Sequence, residues 1–184
     1  MTYRHRPDQD TSLIIVGSGF AAAAAVIHLA HNGFAPSDIL IIGPGTLGSG
    51  QAYGCKADVF RLNVRADLQR LWPDHPDHFP QWAKTHIEDP QAKTHAGHFY
   101  RRADFARYVS AQLEAATGKK ELRQVPVRVV DITPAQQGWQ VFCDNGADYC
   151  SARLLLATGN PEPQWPIPVS YTHLRAHETK ANLV

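Results

Sequence analysis

The sequence predicts an α/β fold built on a parallel central sheet, and three observations predict it. Leu13-Ile14-Ile15-Val16 and Ile39-Leu40-Ile41-Ile42 are short, unbroken apolar runs rich in β-branched residues, as in strands buried on both faces. Between them, Phe20 to His31 reads as a helix that opens with five alanines and stops at Asn32-Gly33. Strand, helix and strand in about thirty residues make a βαβ unit with a right-handed crossover.

The remaining elements follow in chain order. Gly45 to Asp77 holds glycines and then Pro73 and Pro76, and reads as loop with short helical pieces. Phe79 to His86 reads as a helical turn or two. In Ala103 to Ala116, Phe105, Val109 and Leu113 recur every four residues and Gly118 follows, which predicts a helix. A helical insertion is therefore expected over about 65–118. Beyond it the period becomes two: Val125, Val127 and Val129 alternate, followed by Ile132 and by Trp139 to Cys143. Asn145-Gly146 within Asp144-Asn145-Gly146 predicts a type I′ hairpin, and Tyr149 to Ala157 completes a three-stranded antiparallel β-meander ending in a buried run.

Composition bounds the function. The chain has 184 residues, enough for one domain with a core, and 43% of them are hydrophobic against 19% charged. Eighteen basic and 17 acidic side chains leave a net charge of +1, so no strong field draws nucleic acid or an anionic membrane. The apolar stretch Leu13 to Ala30 is interrupted by Gly17, Ser18 and Gly19 and carries His28, which fits strand and helix better than a membrane span. Residues 1–10 are polar and charged, without an apolar leader segment, and are expected to be a flexible N-terminus. Three cysteines (Cys55, Cys143 and Cys150) do not make a disulfide scaffold and fit a reducing, cytoplasmic setting.

Gly17-x-Gly19-x-x-Ala22 fits the dinucleotide fingerprint, which makes the fold Rossmann-like. The first glycine allows the tight turn. The second admits the pyrophosphate to the backbone, and Ala22 lets helix pack close to strand. The helix N-terminus offers free N–H groups and partial positive charge to phosphates. The fingerprint also expects an acid near the end of the second strand, to hold the ribose. Gly43 stands there, followed by Pro44 and Gly45, which disfavours a plain NAD dehydrogenase.

Four stretches resemble the N-terminal part of the FAD-NAD(P)-binding oxidoreductases related to flavin-dependent monooxygenases. They are Val16-Gly17-Ser18-Gly19-Phe20-Ala21-Ala22, Gly48-Ser49-Gly50-Gln51-Ala52-Tyr53, Leu62-Asn63-Val64 and Leu156-Ala157-Thr158-Gly159-Asn160. Tyr100-Arg101-Arg102 also fits, and the resemblance covers roughly 11–165. It implies an incomplete FAD/NAD(P)-binding domain over 11–165, with FAD as cofactor and NAD(P)H as a further one in the full-length protein. The cofactor-binding residues it implies, together with the glycine turn, are Gly17, Ser18, Gly19, Phe20, Ala21, Ala22, Pro44, Gly48, Gly50, Ala52, Tyr53, Asn63, Val129, Ala157, Thr158 and Gly159. Asn63 reads equally well as a turn residue bonding its own backbone. Arg101 and Arg102 could grip a phosphate or carboxylate, or form a solvated approach to the helix.

No residue is assigned as catalytic acid or base. His75, His78, His95 and His98 lack a cysteine or carboxylate partner pattern, so no metal site is expected. No closely spaced cysteine pair supports a dithiol relay. The expected partners are a small-molecule cofactor and substrate, with neither nucleic acid nor membrane. The rival readings are an NAD-dependent Rossmann dehydrogenase and a non-catalytic nucleotide-binding module or truncated product. Residues 169–184 continue no earlier pattern and resemble translated sequencing-adapter tails; the alternative is a natural amphipathic C-terminal helix. Sequencing the gene across the Val169 codon decides between them, and an uninterrupted genomic frame through Val184 removes the artefact reading. The chain alone is expected to be inactive and to purify without stoichiometric flavin, which visible absorbance measures directly.

Overall fold

The computed structural model describes residues 11–55, 57–118 and 122–159. The expected flexible N-terminus, the end of the expected domain at 165 and the tail at 169–184 lie outside these residues.

The opening βαβ unit forms as β1 (Thr11–Val16), α1 (Phe20–His31) and β2 (Ile39–Ile42). β1 starts ahead of the apolar run because Thr11 pairs with Ser151 and its hydroxyl donates to the Asp38 carbonyl at 2.7 Å. Four further helices and strands belong to the connection that follows: α2 (Gly50–Tyr53), α3 (His78–His86), and the short antiparallel pair β3 (Lys93–Thr94) and β4 (Gly97–His98). Next come α4 (Arg102–Thr117), β5 (Arg123–Val125), β6 (Val129–Ala135), β7 (Gly138–Cys143) and β8 (Asp148–Leu156).

One six-stranded sheet runs β5-β2-β1-β8-β7-β6. β5, β2, β1 and the second half of β8 are parallel; β8, β7 and β6 are antiparallel. β8 therefore serves two partners in succession. Its first half pairs with β7 (Tyr149 opposite Val141), and its second half with β1 (Leu154 opposite Ile14).

Burial explains the apolar runs. Successive side chains of a strand point to opposite faces, so a strand covered on both sides needs apolar residues throughout. Ile15 and Ile41 join α1 and α4 in one core, with Val26, Phe105, Tyr108 and Val109. Ile14, Leu40 and Ile42 form the other, with Val141 and Cys143 of the meander. Ile14, Ile15 and Ile41 are fully buried, and each contributes about 1.5–3 kcal/mol of transfer free energy.

Two expectations are corrected. The alternation Val125, Val127, Val129 is not one strand. β5 ends at Val125 beside β2, and Val127 N–H folds back onto the Val125 carbonyl at 2.9 Å before β6 begins. Pro126, which has no N–H to give a ladder, stands at the break. The hairpin turn is also not two residues long. Cys143 N–H donates to Ala147 O and Gly146 N–H to Cys143 O, leaving a three-residue loop with Gly146 at φ 83°. A left-handed glycine at that position matches the sheet's twist with a bulge.

The connection between β2 and α4 is held by an ion pair that the sequence does not display. Asp89, whose side chain is 1% exposed, accepts both Nη groups of Arg61 at 2.8 and 3.2 Å and the Gln91 N–H at 3.1 Å. The Arg61 hydrogen bonds hold the Asp89 carboxyl below the usual carboxylate range, against the upward push of burial. A depressed carboxyl stabilises the fold above the unfolded value of about 3.9 and loses that contribution as pH falls through the folded value. Asp89→Asn is expected to cost about 2 kcal/mol at neutral pH, because Arg61 keeps some water. Its stability should also fall less than the wild type's as pH drops toward about 3, measured by denaturant titration at each pH.

Candidate functional site

The carboxyl ends of β1, β2 and β8 meet at the glycine turn. Gly17 takes φ 115°, and its N–H donates to Ile42 O at 2.7 Å. A Cβ there would lie 2.2 Å from the Ala157 carbonyl oxygen, while Ala157 N–H itself donates to Val16 O at 2.8 Å. The turn is thus pressed onto the end of β8, at a point only glycine can occupy.

Gly43 explains the missing acid. A Cβ at this position would lie 2.7 Å from the Gly17 carbonyl carbon and 2.8 Å from Ser18 N. Its own N–H donates to Val125 O at 3.1 Å, fixing β2 against β5. Any side chain at 43 would drive into the turn, so the carboxylate usual at the end of the second strand has no room here.

Two further segments close on the turn. The buried Ser18 hydroxyl donates to the Pro44 carbonyl, and Ser18 O accepts the Gly48 N–H at 2.9 Å. Gly48, at φ 91°, is buried beside Val109 and Ala23. Gly50, at φ 50°, would bring a Cβ to 2.8 Å from Gly19 Cα. Phe20 meets Tyr53 edge to face at 6.0 Å between centroids, and both rings pack on Phe105. Burial pushes the Tyr53 phenol above its ordinary value, so its O–H stays protonated at neutral pH.

The electrostatics come from α1. Gly19 is its N-cap and supplies no side-chain cap, and no acidic residue lies in the first turn. The first intrahelical bond runs from Ala23 N–H to Gly19 O at 3.1 Å, so the preceding N–H groups have no helical acceptor. Ala22 is fully buried where α1 crosses the sheet, whereas Ala21 is exposed. The result is an uncapped, positive helix end at the mouth of the turn, suited to phosphate.

Of the residues singled out from the sequence, Gly17, Ser18, Gly19, Phe20, Pro44, Gly48, Gly50, Tyr53 and Ala157 come together here. Thr158 and Gly159 continue from Ala157 as exposed residues, Gly159 at φ 70°. Ala52 is exposed on α2. None of these close approaches involves Asn63 or Val129. Asn63 is exposed after the Arg61–Arg101 bridge, and Val129 packs into the second core at the start of β6. Arg101 lies 3.7 Å from both Asp58 and Asp89, and Arg102 bonds two backbone carbonyls. Gly43, read from the sequence as a missing acid, and Arg102, read as a phosphate or carboxylate grip or a solvated approach, instead contribute through backbone contacts.

Two of the histidines singled out from the sequence have aromatic partners. His78 Nδ1 is 2.8 Å from the Tyr108 hydroxyl, and the His98 ring stacks on Tyr100. No group of three or more His, Cys, Asp or Glu is placed to hold a metal among the described residues. Among the same residues, no helix is long and apolar enough to cross a membrane. A cavity of ≈ 290 Å³ lined by Arg65, Pro80, Lys84, His98 and Tyr100 shares no residue with the glycine turn.

Thermal unfolding should rank the glycines. Gly17→Ala and Gly43→Ala are each expected to cost more than about 2 kcal/mol, because both drive a methyl into backbone. Gly45→Ala meets open space at φ 83° and should cost only about 1 kcal/mol.

Residues 14–161 match the family described as FAD-NAD(P)-binding. None of the curated proteins matches this sequence. Similar solved structures include OTEMO in complex with FAD and NADP, at 19% identity and TM-score 0.56, with 86% of this chain and 28% of that one covered. A flavin-containing monooxygenase from Stenotrophomonas maltophilia matches at 18% identity and TM-score 0.54, over 85% of this chain and 42% of that one. Cyclohexanone monooxygenase matches at 14% identity and TM-score 0.58, over 86% and 28%. This chain therefore spans less than half the length of each of these structures, and at such identities they show the fold alone. The match over 14–161 shows that the chain belongs to the FAD-NAD(P)-binding family.

Proposed function

We propose that this chain is the FAD-binding N-terminal part of an FAD-dependent, NAD(P)H-linked oxidoreductase of the flavin monooxygenase kind. The observation that carries the reading is the convergence of Gly17, Gly43, Gly50 and Ala157 around an uncapped helix N-terminus. Three backbones approach so closely that a Cβ on Gly17, Gly43 or Gly50 would clash, and free N–H groups remain at the centre. Such a cradle is suited to a pyrophosphate, which needs backbone donors and no intervening side chain.

The donor set fits the group. Gly17, Ser18, Gly19, Phe20, Ala21 and Ala22 would hold the pyrophosphate through backbone and helix end. Gly48, Gly50, Ala52 and Tyr53 would line the flavin side, and Ala157, Thr158 and Gly159 would close the site from β8. Pro44, Asn63 and Val129 are assigned to the periphery of the cofactor, with Val129 toward the adenine. When bound, FAD supplies the hydride and electron transfer, drawing on the nicotinamide cofactor of the whole enzyme. The residues here would bind and orient the FAD. The domain is assigned to 11–165 and the protein to the cytoplasm, with a small molecule as substrate.

The NAD dehydrogenase alternative asks for a carboxylate at the end of β2, and Gly43 leaves no space for one. Titration of the purified chain with FAD and, separately, with NAD⁺, followed by flavin fluorescence and by calorimetry, tests the proposal. FAD is expected to bind weakly, in keeping with an incomplete domain, and still more tightly than NAD⁺. Tighter binding of NAD⁺, or no binding of FAD, overturns it.

A further inference from the structure

The segment after α2 leaves the core entirely. Gly54, Cys55, Ala57, Asp58, Val59 and Phe60 are all exposed, and Val59 retains 79% of its accessible surface. Yet this excursion begins at the residues that press on the glycine turn, Gly50 and Tyr53. The Tyr53 ring packs on Phe20 and Phe105, but the loop that follows adds no apolar anchor of its own.

Arg102 supplies a polar one. Its Nη1 donates to Ala52 O at 3.3 Å and its Nε to Arg61 O at 3.2 Å, so one guanidinium joins the two ends of the excursion. Its backbone N–H donates to Phe60 O at 2.9 Å. The neighbouring strands of chain add an Arg61–Arg101 bridge and a Leu62 N–H to Tyr100 O bond at 2.9 Å. Arg102 is the first residue of α4, and α4 is fixed by Phe105, Tyr108 and Val109, none of which is exposed to solvent. A planar guanidinium presents Nε and Nη1 as a fixed fork, whereas an ammonium is a point charge on a flexible stem.

We propose that Arg102 is a positioning residue: its fork across Ala52 and Arg61 transmits the rigidity of α4 to the Gly50–Tyr53 segment and holds it against Gly19 for the cofactor. The cofactor part of this inference rests on the flavin reading above. Arg102 touches no ligand in this role. Loss of the fork frees α2 to swing away from the turn while α4 stays folded.

The test combines amide hydrogen exchange with FAD titration on Arg102→Ala, Arg102→Lys and Arg107→Ala. Arg107, on the same helix, pairs with Asp104 at 3.2 Å and donates to the His86 carbonyl at 3.3 Å, with no bond to the α2 segment, so it controls for loss of a guanidinium on α4 without loss of the fork. In Arg102→Ala, exchange at the Tyr53 and Gly54 amides, which donate to Ser49 O and Gly50 O, should quicken about tenfold, and the FAD dissociation constant should rise by a similar factor. The Phe105–Leu113 amides should keep their protection. Arg102→Lys should fall between wild type and Arg102→Ala, and Arg107→Ala should match wild type at the Tyr53 and Gly54 amides and in FAD affinity. Unchanged exchange at Tyr53 and Gly54 overturns the proposal, as does equal quickening along α4. Quickened exchange with unaltered FAD affinity overturns it too. A wild-type chain that binds no FAD overturns the flavin reading separately, and the exchange result still decides whether Arg102 clasps the loop.

Discussion

The contact between the glycine turn and the end of β8 is the constraint on which the site depends. Gly17 and Ala157 are far apart in sequence, yet the carbonyl of one residue occupies the space a side chain on the other would fill. That approach sets where β1 ends, where α1 begins and where the chain leaves β8. Gly43 and Gly50 approach the same turn from β2 and α2, also without side chains. Four separate stretches of chain thus leave the helix end uncovered, which is why the positive end of α1 remains available to an anion.

The connection between β2 and α4 uses a different kind of force. Between Leu47-Gly48 and Leu62 none of its described residues is buried, and directional bonds fix it there: Arg61 with Asp89, and Arg102 with two carbonyls, while Ser18 ties Pro44 to the turn. Its later part packs by aromatic contact, with Phe79 between Phe105, Tyr108 and Tyr100. Charge and hydrogen bonding thus govern the edge near the site, and apolar burial governs the edge that meets α4.

Much of the fold was legible because its signals are local. The double-sided apolar runs of β1 and β2, the alanine-rich start of α1 and the four-residue spacing in α4 each follow from packing at one element. The glycine turn was legible for the same reason. What failed was non-local or hinged on one residue. Pro126 cut an alternating pattern that reads as a single strand, and a third residue in the hairpin loop changed the turn type. Gly43 read as a missing acid until its distance to Gly17 was known. No residue pattern marks Arg102 as a link to Ala52, because the bond joins residues fifty apart in the chain.

β8 carries a consequence for how the molecule folds. It pairs locally with β7, across a short hairpin, and also with β1 at the opposite end of the chain. The first pairing closes a small loop and forms early, whereas the second closes nearly the whole described chain and must wait for it. During synthesis β1 therefore emerges long before its β8 partner exists, with one strand edge unpaired for that interval. The strand that completes the site is also the one whose late arrival leaves a nascent chain open to association with its neighbours.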